Sequence, residues 1–558
     1  MDRRKFIQNI APGVTLLSVK PHAVFCNEQD TCSAQFKNNQ HNYNLDIPQV
    51  QIGDDIAIAD TEYGKVKGYV MRGIYTFLGI PYAADTSGKN RFMPPHKRES
   101  WAGIRPAVFY ANSSPQDVYS RASTSYDMFV DHWNYDELSE DCLALNIWTP
   151  SLSDDKKRPV IVWLHGGGFS RGNGIEQDGY NGENITRYGD VVYCSINHRL
   201  NVFGFSDLSG VGGEKYRDSG NVGLLDIVAA LQWIHDNIAN FGGDPGNVTI
   251  IGQSGGGAKV CMLATMPAVK HLAHKAVSLS GSATSANNQD YSRELGRYIL
   301  KEANLSPRNI DRLQDMPWAD YLKIAQQAYS RMEKEKGPLG MPRGGFAPVA
   351  DNVHLPAGEF FQDRNAPDVP IIFCTTFHEW NPGRTDSALE QISLSGVAER
   401  IKQRYGDRSD VIVEAYARNF PEAKPVEILN LINSNRLSVV EAAKLKLAQN
   451  SPVYMAWFGW CPPLFDGRMR AFHCLDISFW FLNTDLMLTH TGGGVRPRAL
   501  SYRMADALLN FARTGNPNCI SLPMWPRYTE QNGETMILND NCEVKNDPDR
   551  AARSTLMP

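Results

Sequence analysis

Five short, mainly apolar runs recur along the chain, and no other feature constrains its fold as strongly. They occupy positions 160–164, 191–196, 248–251, 276–279 and 369–373. A strand that is apolar on both faces needs cover on both sides, as in a parallel sheet between layers of helices. Helical patterns separate the runs, and the clearest, over 221–240, ends at the glycine pair 242–243. Strands that alternate with helices predict an α/β fold, with a mostly parallel, twisted central sheet flanked by helices.

Two long stretches, 285–365 and 384–450, are richer in helical patterns and in charges than the rest of the chain. We expect them to be helical insertions over one end of the sheet, above the active site, rather than separate domains. Strand-like alternation already begins near residue 56. The sequence therefore predicts one large domain over residues 55–558.

The first residues differ from the remainder. Arg3 and Arg4 precede Phe6 and a weak apolar run over 10–19. This pattern is typical of a twin-arginine export signal, predicted here over residues 1–25, although a basic and frayed first helix would look similar. A polar segment rich in Asn and Gln follows and predicts a linker over 26–54. The mature protein is thus expected to be periplasmic or secreted.

Charge and hydropathy exclude two classes of partner. The formal net charge is −5, and no basic run occurs beyond the first few residues, so no nucleic acid partner is expected. No apolar stretch approaches the roughly 18–20 residues that a membrane span requires.

The ten cysteines are dispersed and none forms a C-x-x-C pair, so neither a zinc knuckle nor a thioredoxin-type site is indicated. After export one or two disulfides could form, and Cys519 with Cys542 is the candidate pair.

The nucleophile is predicted from the segment 252–256, which matches G-x-S-x-G with Ser254 at its centre. The apolar run 248–251 leads into it and a helical pattern over 258–264 follows. Such a strand, sharp turn and helix lift the serine hydroxyl out of the sheet at the start of the helix. Only small flanking residues allow the turn to close.

An oxyanion hole is predicted from the glycines after the run 160–164. Gly166, Gly167 and Gly168 leave their backbone N–H groups unshielded, and such donors stabilise the negative oxygen of a tetrahedral intermediate. We assign Gly167 and Gly168, with Gly255 as the third donor. His165 is expected to brace the loop.

A serine nucleophile needs an imidazole base and an acid that orients it. Glu379 follows the run 369–373 and is the favoured acid, with Asp351 and Asp466 as alternatives. His473 and His490 are the histidines that follow Glu379, and His473 is favoured as the base.

A zinc site of the H-E-x-x-H type is not expected at His378 and Glu379. The position of the second histidine holds Pro382, which cannot bind a metal. No metal or other cofactor is predicted.

With these residues assembled, the sequence resembles the type-B carboxylesterase family, which also contains cholinesterases and bacterial p-nitrobenzyl esterases. The resemblance runs from about residue 56 to the C-terminus. It is carried by the segments 79–83, 91–95, 140–147, 165–169, 220–226 and 241–245. The family implies an α/β-hydrolase fold and a Ser–Glu–His triad, which falls on Ser254, Glu379 and His473.

The sequence departs from the family in two places. The residue before the serine is usually Glu and here is Gln253, which argues against a preference for quaternary ammonium groups. Cys142 usually has a disulfide partner 25–30 residues upstream, and the region 111–116 contains no cysteine.

We therefore expect hydrolysis of a small-molecule carboxylic ester through an acyl-serine intermediate, with no cofactor. The same groups could instead cleave an amide, a carbamate or a thioester. A non-catalytic binding protein is a further alternative, against which the intact triad argues. The oligomeric state stays open.

Overall fold

The computed structural model describes residues 48–118, 134, 137–152, 154–337 and 345–557. The chain divides into two units, Met1–Pro48 and Gln49–Pro558. The predicted signal 1–25 and most of the predicted linker lie outside the described residues, so the fold below is that of the second unit.

The strands follow the chain as short extended segments. They are β1 (Val50–Gln51), β2 (Ile58–Thr61), β3 (Gly64–Lys67), β4 (Tyr69–Met71), β5 (Ile74–Pro81), β6 (Ile104–Pro106), β7 (Ala144–Thr149), β8 (Arg158–Leu164), β9 (Val192–Ile196), β10 (Gly243–Gln253), β11 (Lys275–Leu279), β12 (Asn287–Asn288), β13 (Val349–Ala350), β14 (Ile371–Thr376), β15 (Val453–Phe458), β16 (Glu534–Leu538) and β17 (Glu543–Asn546).

Within the described part of the chain, twelve strands form one sheet in the order β1-β4-β5-β7-β9-β8-β10-β11-β14-β15-β16-β17. The seven strands from β9 to β16 in this order run parallel to one another. The strands at both margins of the sheet are antiparallel to their neighbours. On one side these pairs are β1–β4, β4–β5, β5–β7 and β7–β9, and on the other side the pair is β16–β17. The predicted mostly parallel sheet is confirmed, and its antiparallel margins are a feature that the apolar runs did not predict.

Both faces of the central strands are buried. In β8, Val160 and Val162 belong to one apolar cluster, whereas Ile161 and Trp163 belong to another. Because successive side chains of a strand point to opposite faces, the two clusters lie on opposite sides of the sheet. This double burial is why the central strands are continuous apolar runs rather than alternating ones.

Helices cover the sheet and form the insertions. The α-helices of the described residues are Glu183–Gly189, Asn201–Phe205, Ser209–Gly212, Val222–Asn237, Gly255–Leu263, Gln289–Glu302, Arg312–Asp315, Trp318–Lys336, Leu394–Tyr405, Ser409–Asn419, Pro425–Ile432, Arg436–Lys446, Ile477–Trp480, Leu488–Thr491, Val495–Thr514 and Arg550–Ser554. Short 3-10 turns lie at Gly88–Asn90, Asp178–Tyr180, Gly213–Tyr216, Ile238–Phe241, Pro267–Val269, Pro307–Asn309, Pro382–Arg384, Ser387–Gln391 and Gly406–Arg408. None of these helices is both long and apolar enough to cross a membrane.

The second insertion packs against β15 and β16 and contacts the loop after β15 in which the predicted base lies. Apolar residues of Leu394–Tyr405, Ser409–Asn419 and Pro425–Ile432 share one cluster with Trp457 of β15 and Ile537 of β16. Arg470, close to His473, donates to Glu427 at 3.0 Å and to Glu390 at 2.6 Å. The insertion therefore supports the loop in which His473 lies.

Two local features differ from the sequence predictions. Val50–Gln51 lies inside the predicted linker 26–54, yet it pairs antiparallel with β4, and the Arg72 N–H beside this pair donates to the Gln49 carbonyl at 2.7 Å. Cys519 and Cys542 are both free thiols, so the predicted disulfide between them is wrong. Each thiol instead hydrogen-bonds locally, Cys542 to the Asn539 carbonyl at 3.3 Å and Cys519 with Ser521 at 3.3 Å.

Candidate active site

Ser254 lies in a strained turn between β10 and the helix Gly255–Leu263, with φ of 57° and ψ of −123°. This left-handed region is costly for a residue with a side chain, by about 1–3 kcal/mol. The turn closes only because its neighbours are glycines. A Cβ atom on Gly256 would lie 2.0 Å from the carbonyl oxygen of Leu164, and one on Gly252 would lie 2.5 Å from Gly256 itself.

The backbone of Ser254 is fixed from both sides. Its N–H donates to the Leu279 carbonyl of β11 at 2.8 Å, and its carbonyl accepts from the Ala258 N–H at 3.0 Å. The hydroxyl is left at the N-terminal end of the helix, partly exposed, where the helix dipole favours negative charge.

The glycine loop after β8 faces this turn. Gly167 and Gly168 have φ of 85° and 60°, which glycine adopts without strain. In the described part of the chain their N–H groups have no acceptor. Gly255 opens its helix, so its N–H also lacks an intrahelical acceptor. A Cβ atom on Gly255 would lie 2.7 Å from the Gly168 nitrogen, which puts the loop directly beside the turn.

Glu379 and His473 form a hydrogen-bonded pair. Nδ1 of His473 donates to Oε2 of Glu379, whose other oxygen accepts from the Thr375 hydroxyl and, at 2.9 Å, from the Thr376 N–H. The two residues are also joined through their backbones, since the His473 N–H donates to the Glu379 carbonyl at 3.0 Å. Burial would raise the pKa of Glu379, but the charge and hydrogen bond of His473 hold it below its ordinary value. Glu379 is therefore ionised at neutral pH.

Three side chains surround the His473 ring. The Gln253 amide nitrogen lies 3.2 Å from Nε2 and 3.4 Å from Nδ1. The Cys474 thiol donates to the Gln253 amide oxygen at 3.3 Å. The Trp380 ring centroid lies 4.3 Å from that of His473, with 31° between the planes. Among the described residues, no hydrogen bond joins His473 to the Ser254 hydroxyl. Such contacts are often long until substrate binds.

The surroundings of His473 favour its protonated form. Burial lowers its pKa, but Cys474 and Glu379 outweigh burial and hold the pKa well above its ordinary value of 6.5. Burial raises the pKa of the Cys474 thiol, although the charge of His473 opposes this. His378 behaves in the opposite way, since burial lowers its pKa to about 4. Of these two histidines, His473 is therefore the one with an ionised partner.

The alternative residues occupy other positions. His490 is buried against Phe472, with ring centroids 5.2 Å apart, and lines the same cavity of about 410 Å³ as His473 and Trp380. Asp351 accepts from Asn221 at 2.8 Å and caps a turn, and Asp466 is exposed. The structure joins Glu379, and neither aspartate, to His473.

Two buried charged residues near the site were not predicted from the sequence. Asp476, three positions after His473, is fully buried, and burial together with Glu379 raises its pKa to about 7. Lys259, five positions after Ser254, is also fully buried. A charged residue inside an otherwise apolar or glycine-rich segment was the signal that could have revealed both.

Comparison with known proteins identifies the family. The sequence model of the carboxylesterase family matches residues 55–555. The para-nitrobenzyl esterase of Bacillus subtilis is 32% identical over 90% of this chain and 98% of its own length. The phenmedipham hydrolase of Pseudarthrobacter oxydans is 32% identical over 89% of this chain and 99% of its own.

Solved structures show the same fold. An esterase from the anaerobe Clostridium hathewayi, described as able to hydrolyse aliphatic aromatic polyesters, superimposes with a TM-score of 0.76 at 34% identity. The match covers 90% of this chain and 98% of that one. The fold is thus that of the α/β-hydrolase esterases. The chain belongs to the carboxylesterase family and is a serine esterase that hydrolyses carboxylic esters.

Proposed function

We propose that Ser254 is the nucleophile, His473 the general base and Glu379 the residue that orients it. The Ser254 oxygen attacks the ester carbonyl while its proton passes to Nε2 of His473. The carbonyl oxygen becomes an oxyanion that accepts from the N–H groups of Gly167, Gly168 and Gly255. When the intermediate collapses, His473 returns the proton to the departing alcohol and an acyl-serine remains. Water, deprotonated by His473, then releases the acid and restores Ser254.

One observation carries this proposal more than any other. The strained Ser254 lies beside a loop whose Gly167 and Gly168 amides have no acceptor among the described residues. Gly167 is half-buried and Gly168 is exposed, so both amides are open to an incoming group. Backbone donors that are fixed in place and lack a partner are suited to receive a negative oxygen. The ionised Glu379 and the His473 that it holds supply the base.

We further propose that the substrates are small esters with an aromatic part. The cavity beside His473 is about 410 Å³ and is lined in part by Trp380 and Phe472. Such a volume suits a small molecule. The relatives support this choice, since they include a para-nitrobenzyl esterase and an esterase described as acting on aliphatic aromatic polyesters.

A substrate series and active-site labelling test both proposals. Hydrolysis of p-nitrophenyl esters of increasing acyl length should be abolished by Ser254→Ala, and a fluorophosphonate should label the Ser254 peptide alone. A p-nitroanilide and an aryl carbamate, assayed beside the esters, distinguish the other bond types. Label on a different serine would overturn the assignment of Ser254.

We also propose that the enzyme is exported through a twin-arginine signal. The support is Arg3 and Arg4 ahead of a weak apolar run, and the beginning of the family match only at residue 55. Replacing both arginines by lysine should retain active enzyme in the cytoplasm of the host, whereas the wild type reaches the periplasm. Equal export of both forms would show that the arginines are only a charged terminus.

A further inference from the structure

Lys259 is a buried cation behind the glycine loop. It lies on the helix Gly255–Leu263 that begins directly after Ser254, and none of its surface is exposed. Its ammonium donates to the His165 carbonyl at 3.0 Å and lies 5.6 Å from the centroid of the Phe169 ring. Lys259 therefore touches both the first and the last residue of the loop 165–169.

The loop needs such an anchor. Gly166, Gly167 and Gly168 have more backbone freedom to lose than other residues, and their amides must be held before charge develops on the substrate. At its far end the loop is fixed by the Asn201 N–H, which donates to the Phe169 carbonyl at 2.8 Å. At its near end the side chain that binds the His165 carbonyl is Lys259.

Little negative charge offsets the positive charge of Lys259. Burial lowers its pKa to about 7, and Glu176 is the charged group that opposes this. The stacked rings of His165 and His198, 4.8 Å apart, lie beside it, and burial with the charge of Lys259 holds the pKa of each well below its ordinary value. Both imidazoles are neutral at neutral pH, so they do not share the positive charge.

We propose that Lys259 is a positioning residue for ester hydrolysis: it holds the His165 carbonyl, and so the amides of Gly167 and Gly168. This inference rests on the proposed roles of Ser254 and the glycine loop. Removing the Lys259 ammonium from water lowers the stability of the folded state. A lysine kept only for stability would not carry this cost.

Lys259→Met tests the inference, because methionine is of similar length and lacks both the charge and the donor. Acylation and deacylation each pass through an oxyanion, so kcat for p-nitrophenyl acetate should fall about 10–100-fold with little change in KM. An alkyl trifluoromethyl ketone provides a second readout. Ser254 adds to its carbonyl carbon, the serine proton passes to His473, and the ketone oxygen becomes an anion in the loop. Its affinity should fall by about the same factor as kcat.

Lys446 offers a matched control. It is also fully buried, but its ammonium pairs with Asp368 at 3.1 Å, far along the chain from the glycine loop. Lys446→Met should lower the melting temperature and leave kcat and ketone affinity unchanged. Lys259→Met should show the opposite pattern, with a melting temperature equal to or above that of the wild type.

The outcomes separate this inference from the proposed function. If the wild type neither cleaves the ester nor binds the ketone, the proposed function fails. If the wild type does both and Lys259→Met retains its kcat and ketone affinity, only the role of Lys259 is overturned. A Lys259→Met variant that unfolds, or that loses stability together with activity, would show a structural lysine and would also overturn it.

Discussion

The side-chain amide of Gln253 lies against the ring of His473, almost equally far from its two nitrogens, at 3.2 Å and 3.4 Å. These nearly equal distances place the amide nitrogen over the ring rather than in line with the lone pair of Nε2. The residue next to the nucleophile thus contacts the base without adding charge to it. The ionised group that sets the protonation of His473 remains Glu379.

Gln253→Glu should therefore shift the pH dependence of activity upward. A second carboxylate beside the ring stabilises the imidazolium and raises the pKa of His473. Because only the neutral ring accepts the serine proton, the ascending limb of kcat/KM should move by about one pH unit to higher pH. Gln253→Met removes the amide without adding charge and serves as the control. An unchanged or lowered midpoint in the Glu variant would contradict the contact.

In the wild type, that ascending limb should have its midpoint above pH 6.5. A histidine of ordinary pKa would place it near 6.5, whereas the structure holds the pKa of His473 well above that value. Protonated His473 cannot act as a base, so activity should be low below the midpoint and rise with pH. Measurement of kcat/KM for p-nitrophenyl acetate across the pH range checks this. A midpoint at or below 6.5 would show that burial, rather than Glu379, dominates.

His473→Ala should lower kcat by about 10⁴-fold or more, as expected when one member of a triad is removed. His490→Ala should keep kcat within about 10-fold of the wild type and cost about 1–3 kcal/mol of stability, because its buried ring packs on Phe472. Steady-state kinetics and thermal unfolding of both variants decide between them. The reverse ranking would make His490 the base.

Glu379→Gln should lower kcat by about 10³–10⁴-fold while the fold persists. An amide has one acceptor oxygen, so it cannot accept from both His473 and the Thr376 N–H in the manner of the carboxylate. Asp476→Asn is the matched control. Its pKa of about 7 means that much of Asp476 is already neutral near pH 6, where this variant should change kcat little. Equal losses in the two variants would refute a specific role for Glu379.

Gly256→Ala should destabilise the fold by about 3 kcal/mol, or prevent folding, since the added Cβ would lie 2.0 Å from the Leu164 carbonyl oxygen. Gly358→Ala is a suitable control because a Cβ there would meet no atom within 4 Å. Chemical denaturation of both variants measures the difference. A Gly256→Ala protein of wild-type stability would mean that the turn can open.

The sequence alone predicted what local pattern determines. The apolar runs 160–164 and 276–279 lie within β8 and β11. They could be predicted because a central strand is buried on both faces, so that nearly every residue in it is apolar. The antiparallel margins could not be predicted from continuous apolar runs, since strands such as β4 are short and partly exposed. Glu379 and His473 were named from chain order and from the resemblance, and the structure joins them.

Contacts between distant segments were beyond the sequence. Gln253 and His473 are 220 residues apart, and nothing in either segment indicates that the amide meets the ring. Cys519 and Cys542 were the candidate disulfide pair, yet each thiol hydrogen-bonds within its own loop. Lys259 was overlooked because a lysine in a helical pattern normally faces water.

The strand order also bears on the order in which parts of the sheet and the site are synthesised. From β10 outward the parallel sheet adds β11, β14, β15 and β16 in the order in which the ribosome makes them. Ser254 thus leaves the ribosome long before its base, since 220 residues separate Gln253 from His473. At the usual pace of about 5–20 residues per second, this gap lasts roughly 10–40 s. A growing chain therefore carries Ser254 without His473 during that interval, so the proposed triad is complete only late in translation.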